Sequence, residues 1–368
     1  MTFETVAEGF VSRREPGTAT AVAGGSRCAL NHRGEILCTF VVQSKLAVND
    51  FVAMIARSAD GGATWSDPTP IWPHLSGKQS IFCAISGSRA NDLFLYGIRT
   101  PIDTPGESFW SDATQGLKQN DLVWARSVDG GTAWSDPEHL PMDGPGSAEA
   151  PGPLTVTRQG RWIVCYAPYN TFDASVIVDK QRVVAAISDD KGRSWRHTDM
   201  LRFAEPKSGG AEAWVIELSD GRLLGTCWHV SHDGNAEYPN AYTLSSDGGN
   251  TWLPTRSTGI MGQSTALTPL PDGRALFIYN QRKHGEVGVW IAVVRPGESG
   301  FGVESNQPVW LAEQATLSAS SADHTEWSDF AFGEPSAVLL PDGTLLLVLW
   351  CVQPSGQGIR FVKLRMKE

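Results

Sequence analysis

Two glutamates hold the same place in a repeated unit of this chain. Glu212, in Gly209-Gly-Ala-Glu212-Ala-Trp, stands nine residues before Gly221, and Glu334, in Phe332-Gly-Glu334-Pro, stands nine before Gly343. Carboxylates paired across a cleft are what glycoside hydrolysis needs, one protonating the leaving oxygen and one acting as base or nucleophile. The plainer use of each is a solvated carboxylate or a cap on backbone N–H groups. The same count in the other copies of the unit gives Gly25, Pro151 and Ser264, with Gln79, Glu149 and Gln263 nearby as candidate sugar-binding groups.

A second set of candidates follows the turns. Tyr166 and Trp228 offer rings to stack on a sugar, and Arg99 and Arg282 offer cations. His229 and His232, in the run Trp228 to Asp233, are three apart, a spacing open to acid/base work, to metal ligation or to ordinary rim polarity. Asp50 precedes a strand and is a candidate general acid; its plainer reading is a turn aspartate. The pattern implies no cofactor and no dedicated metal set.

The elements that must position these groups are strand pairs. An apolar run, a glycine turn and a second apolar run recur around Gly34, Gly160, Gly221, Gly273 and Gly343, with a degenerate copy from Phe82 to Leu95. Each reads as a β-hairpin. Between them lie four copies of S-x-D-x-G-x-x-W, at Ser58–Trp65, Ser127–Trp134, Ser188–Trp195 and Ser245–Trp252. The aspartate and glycines are turn chemistry and the tryptophan is an anchor, so these aspartates read as structural. Repetition at this period, carried by strands, predicts an all-β, six-bladed β-propeller over residues 1–368. Thr2 to Val11 is expected to close the ring against Gly358 to Arg365, leaving no free sheet edge. Arg295-Pro-Gly-Glu-Ser-Gly is expected to be the worn remnant of the fifth blade's motif. The long segments Arg99 to Asp121 and Glu304 to Phe332 are candidates for function, the first as a lid or as a homo-oligomer contact.

The four motifs resemble the Asp-box, or BNR repeat, of the sialidase (neuraminidase) superfamily. The resemblance spans nearly the whole chain at the level of repeats. It implies a glutamate in the fourth blade that assists a tyrosine nucleophile, a position Glu212 matches, and an acid aspartate in the region of Asp50. It also implies an arginine triad that clamps a substrate carboxylate. Here the sequence departs: Gly24-Gly25-Ser26 replaces the amino-terminal arginine motif, Trp228 stands where an arginine is expected, and Glu334 where the tyrosine is expected. A neutral tyrosine suits a sugar that carries its own carboxylate; a glutamate suits one that does not. The expected function is therefore a glycosidase of another sugar. The alternatives are a lyase using His229 or His232 with Arg282, a non-catalytic carbohydrate-binding propeller, and an exo-sialidase.

Composition narrows the partners. The formal net charge is −10, with no basic cluster, which argues against nucleic acid and anionic membranes. The first residues lack an apolar signal-peptide core and no run is long enough to span a bilayer, so a cytoplasmic location is expected. Six scattered cysteines without C-x-x-C spacing read as buried thiols. Fourteen tryptophans, ten beyond the motifs, suit a carbohydrate partner.

Overall fold

The computed structural model describes residues 1–88, 90–232, 236–313 and 330–368; Arg89, Asp233 and residues 314–329 of the Glu304 to Phe332 segment lie outside them. Six antiparallel sheets surround a central axis as a six-bladed β-propeller. The innermost strands are Val22–Leu30, Gln79–Gly87, the split pair Ser147–Glu149 and Thr155–Val156, Ser208–Glu217, Gln263–Pro269 and Phe332–Leu339. The third blade's inner strand is broken around Pro151, which has no N–H to give to the ladder. Thr2–Arg14 is the outermost strand of the sixth blade and pairs with Gly356–Lys367 from Thr2↔Lys367 to Arg14↔Gln357.

The core lies between blades. Ile36, Cys38 and Phe40 of the first blade pack on Leu346, Val348 and Ile359 of the sixth, and Phe94 and Tyr96 of the second on Trp162 and Val164 of the third. Strand alternation makes this possible, because each inner blade buries both faces. Cys28 is half-buried and the other five cysteines are buried; all are thiols.

Each Asp-box joins the third and fourth strands of its blade. In the first, Asp60 accepts hydrogen bonds from Ser58 Oγ at 2.8 Å, Thr64 N–H at 2.9 Å and Thr64 Oγ1 at 2.5 Å. Those donors hold its carboxyl down to about 2. Asp190 and Asp247 repeat the arrangement and are likewise held at about 2. The fifth blade has a plain turn instead, closed by Arg295 N–H to Gly302 O at 2.9 Å.

The Arg99–Asp121 segment folds into a small hairpin, Trp110–Ser111 against Gly116–Leu117. It bridges outward through Val48↔Ser108 and Gly116↔Asn170, touching the first and third blades' loops. The Asn120 side chain exchanges hydrogen bonds with both backbone groups of Ala148, at 3.0 and 2.9 Å. Lys118 Nζ is held by Glu107 at 2.5 Å and Asp103 at 2.7 Å. The segment is thus fastened across the pore face.

Candidate active site

Four innermost strands carry a β-bulge at the same level, between Gly24 and Arg27, Ala211 and Trp214, Gln263 and Ala266, and Gly333 and Ser336. In three of them a residue inside the bulge has positive φ: Gly25 at 63°, Glu212 at 51° and Glu334 at 47°. A left-handed conformation is costly for a residue with a Cβ, and such strain gathers at functional sites. Glycine is required at position 25 for a further reason: a Cβ there would overlap the Phe82 ring.

The bulges open onto a central cavity of about 200 Å³. Glu149, Glu212 and Glu334 all line it, with Trp228, Gln263 and Arg282. Two of the carboxylates also tie neighbouring blades together. Glu149 Oε2 accepts the N–H of Glu212 at 2.7 Å, and Glu334 Oε2 accepts the N–H of Gly25 at 2.6 Å. Each thus caps the donor that the next blade's bulge leaves without a ladder partner.

Burial and charge act on Glu149 and Arg282. Burial pushes the Glu149 carboxyl up to about 8; the negative charge of Glu212 adds to this, the Glu212 N–H opposes it, and the Glu334 charge adds less. Burial thus favours the protonated form of Glu149. Arg282 is buried and lowered to about 10, with Glu212 the larger and Glu334 the smaller charge opposing that fall. Its guanidinium donates to Gln263 Oε1 and the Phe332 carbonyl and lies 4.0 Å from the Phe330 ring centroid.

Arg27 fills the pore beneath. It is buried and donates to the carbonyls of Pro151 at 3.2 Å and Glu334 at 3.0 Å, joining three blades. It also faces the Trp214 ring at 5.2 Å. Arg27 and Trp214 stand two residues beyond Gly25 and Glu212, so the repeat count that found the glutamates finds this pair as well.

Other predicted residues lie elsewhere. Tyr166 is buried between strands and its hydroxyl accepts the Asp143 N–H at 2.8 Å, beside a separate cavity. Tyr169, three residues on and therefore on the opposite strand face, lines the central cavity in its place. Its hydroxyl is kept protonated by burial first and by the charges of Glu149 and Glu212 next. His229 is stacked between Phe203 and Tyr238, at 4.4 and 4.1 Å, and burial lowers it to about 4. It belongs to a smaller cleft beside the cavity. His232 packs against Gly209. Arg99 pairs with Asp121 at 3.0 Å, and Gln79 lines a shallow surface cleft with Trp72. Asp50 turns its carboxylate to Ser44 Oγ at 2.5 Å, although its neighbour Phe51 lines the cavity. None of these six is among the cavity-lining residues.

Gln43 and Trp350 line the cavity too, and both are buried. Among the described residues Gln43 Oε1 has no hydrogen-bond partner, leaving an acceptor for a hydroxyl.

The sequence of residues 108–330 matches the family model of BNR repeat-like domains. No curated protein matches the chain. Its fold is similar to that of a protein of unknown function from Dyadobacter fermentans, at TM-score 0.76 and 20% identity, covering 99% of each chain. It is similar to the Hadza microbial sialidase Hz136 at 0.71 and 17%, covering 98% of this chain and 68% of that one. An α-L-arabinanase from Penicillium chrysogenum, solved with arabinobiose, gives 0.64 and 17% over 100% and 99%. At these identities the likeness is one of fold.

Proposed function

Because this chain belongs to the family of BNR repeat-like domains, we propose that its central cavity hydrolyses a glycoside of a neutral sugar, with Glu149 as proton donor and Glu212 as its anionic partner. The observation that carries this reading is the contact of the two groups: the Glu149 carboxyl rests on the Glu212 N–H and is pushed up to about 8. A carboxyl that keeps its proton beside a second carboxyl is how one site supplies both an acid and a base or nucleophile. Trp228 and Trp350 give faces for sugar C–H groups, and Gln43 and Gln263 give amides for hydroxyls. Glu334, tied to the Gly25 N–H, orients the sugar. The sequence-based pairing of Glu212 with Glu334 thus becomes a trio.

A neutral substrate is favoured by the arginines. Arg27 and Arg282 already donate to main-chain carbonyls and face carboxylates, so among the described residues a substrate carboxylate would meet three glutamates and, on Arg282, only the Nε–H without a partner. The enzymes of known structure named above support the scaffold for such work: a sialidase and an arabinanase are built on it.

The test is a panel of aryl glycosides assayed with Glu149→Gln, Glu212→Gln and Glu334→Gln. Glu212→Gln is expected to lose about 10²–10⁴-fold in kcat on every substrate. Glu149→Gln is expected to lose as much on glycosides with poor leaving groups and to recover most of it on dinitrophenyl glycosides, which need no acid. Glu334→Gln is expected to raise KM more than it lowers kcat. Wild-type turnover by Glu212→Gln would end the proposal.

A further inference from the structure

We propose that the cavity has an apolar leaving-group subsite and that the natural aglycone is an aryl or alkyl group rather than a second sugar. This rests on the hydrolase reading above. The cavity wall is divided by chemistry. Leu46, Phe51, Phe82, Ile98, Phe109 and Leu117 come from the first two blades and the Arg99–Asp121 segment, whereas Glu149, Glu212, Gln263, Arg282 and Glu334 come from blades three to six. Phe51 and Phe109 meet at 5.2 Å between ring centroids, making one continuous face. Two of the polar groups on that side are committed, Lys118 to Asp103 and Glu107 and Asn120 to Ala148, which leaves the Gln43 amide as an acceptor at the sugar's edge of this wall.

The proton donor fixes which way a substrate lies. A general acid must reach the oxygen of the departing group, so the aglycone sits on the Glu149 side of the scissile bond and the sugar ring on the Glu212 side. The strand ending in Glu149 abuts the inserted segment, with Ser147 Oγ donating to Leu117 O at 3.2 Å and Lys118 O at 3.0 Å. Leu117 and, across the hairpin, Phe109 are therefore the first side chains a group departing from Glu149 would meet. Glu212 has Trp228, Gln263 and Arg282 on its other side. A hydroxyl-rich second sugar against that apolar wall would lose water without hydrogen bonds in return, while an aryl or alkyl group would gain by burial.

The probe is free 4-methylumbelliferone, with its glycosides and the methyl glycosides of the same sugars. Fluorophore binding to wild type, Phe109→Ala, Phe109→Leu and the distant surface variant Ile177→Ser is followed by fluorescence polarisation, and hydrolysis is followed separately. Phe109→Ala is expected to weaken fluorophore binding about fivefold or more, while Phe109→Leu restores most of it and Ile177→Ser binds as wild type. Methyl glycosides are expected to bind wild type and Phe109→Ala alike. An absence of fluorophore binding, or equal binding by Phe109→Ala with an unchanged melting curve, overturns the subsite. Hydrolysis without such binding overturns the subsite alone. Binding without hydrolysis of any glycoside overturns the hydrolase reading and the leaving-group role with it, and retains only the apolar ligand site.

Discussion

Glu149 is the residue on which activity and stability pull in opposite directions. Its folded-state carboxyl is raised, so its contribution to stability is complete only below the ordinary carboxylate range and is lost as pH rises towards about 8. The proton it would donate as the proposed acid is present over the same interval and is gone above it. The kcat/KM of wild type is therefore expected to hold to about pH 8 and to fall about tenfold per unit beyond, and Glu149→Gln is expected to lack that alkaline limb. At pH 8 the same variant is expected to be more stable than wild type by about 1 kcal/mol or more, with the difference vanishing near pH 4. Parallel pH–rate profiles and thermal melts check both halves. A Glu149→Gln protein that melts below wild type at pH 8 would mean that a poorer fit of the amide against the Glu212 N–H outweighs the relief of not burying a charge.

At the scale of elements, the bulge decides where the glutamates point. Glu212 and Glu334 hold positive φ that glycine would adopt without strain, as Gly25 does in the first blade. Glu212→Gly is expected to gain about 1 kcal/mol in denaturant unfolding while losing turnover, which separates the strain from the chemistry. The Asp-box behaves in the opposite way. Asp129→Ala removes the acceptor of the Ser127, Thr132 and Ala133 donors and is expected to lower Tm by a few degrees, about 3 °C, with kcat unchanged. Box carboxylates held at about 2 keep their contribution until the pH falls below the ordinary range, so it should fade only between about pH 4 and 2.

These elements also show what the sequence made legible. Turn chemistry is local, so four Asp-boxes and six hairpins disclosed the propeller and the phase of Glu212 and Glu334. A bulge depends on pairing between strands and leaves no local mark, and it reverses which residues of a strand face the pore. Tyr169 rather than Tyr166 lines the cavity, because residues three apart on a strand face opposite ways and the strand's parity is set by its pairing. Glu149 entered as a neighbour of Pro151; nothing in its own residues announces that the broken strand would bury it against Glu212. For His229 the sequence leaves acid/base work, metal ligation and rim polarity open, and only tertiary packing sets it between Phe203 and Tyr238.

At the scale of the whole molecule, the ring is completed by two segments more than three hundred residues apart in sequence, Thr2–Arg14 and Gly356–Lys367. Contacts of that separation are slow to form, so closure is expected late in folding. Val11 is buried in the cluster shared by the first and sixth blades. Val11→Asp is expected to cost about 2–4 kcal/mol and to speed unfolding more than it slows folding, which stopped-flow denaturant jumps would measure. The antiparallel register has a mechanical corollary. Thr2 lies beside Lys367, at the same end of the paired strands. A tension applied between those two residues would act along the interstrand hydrogen bonds and load them one at a time. The clasp would then peel like a zipper at low force, whereas the same pair pulled from Arg14 and Lys367 would have to shear along its length.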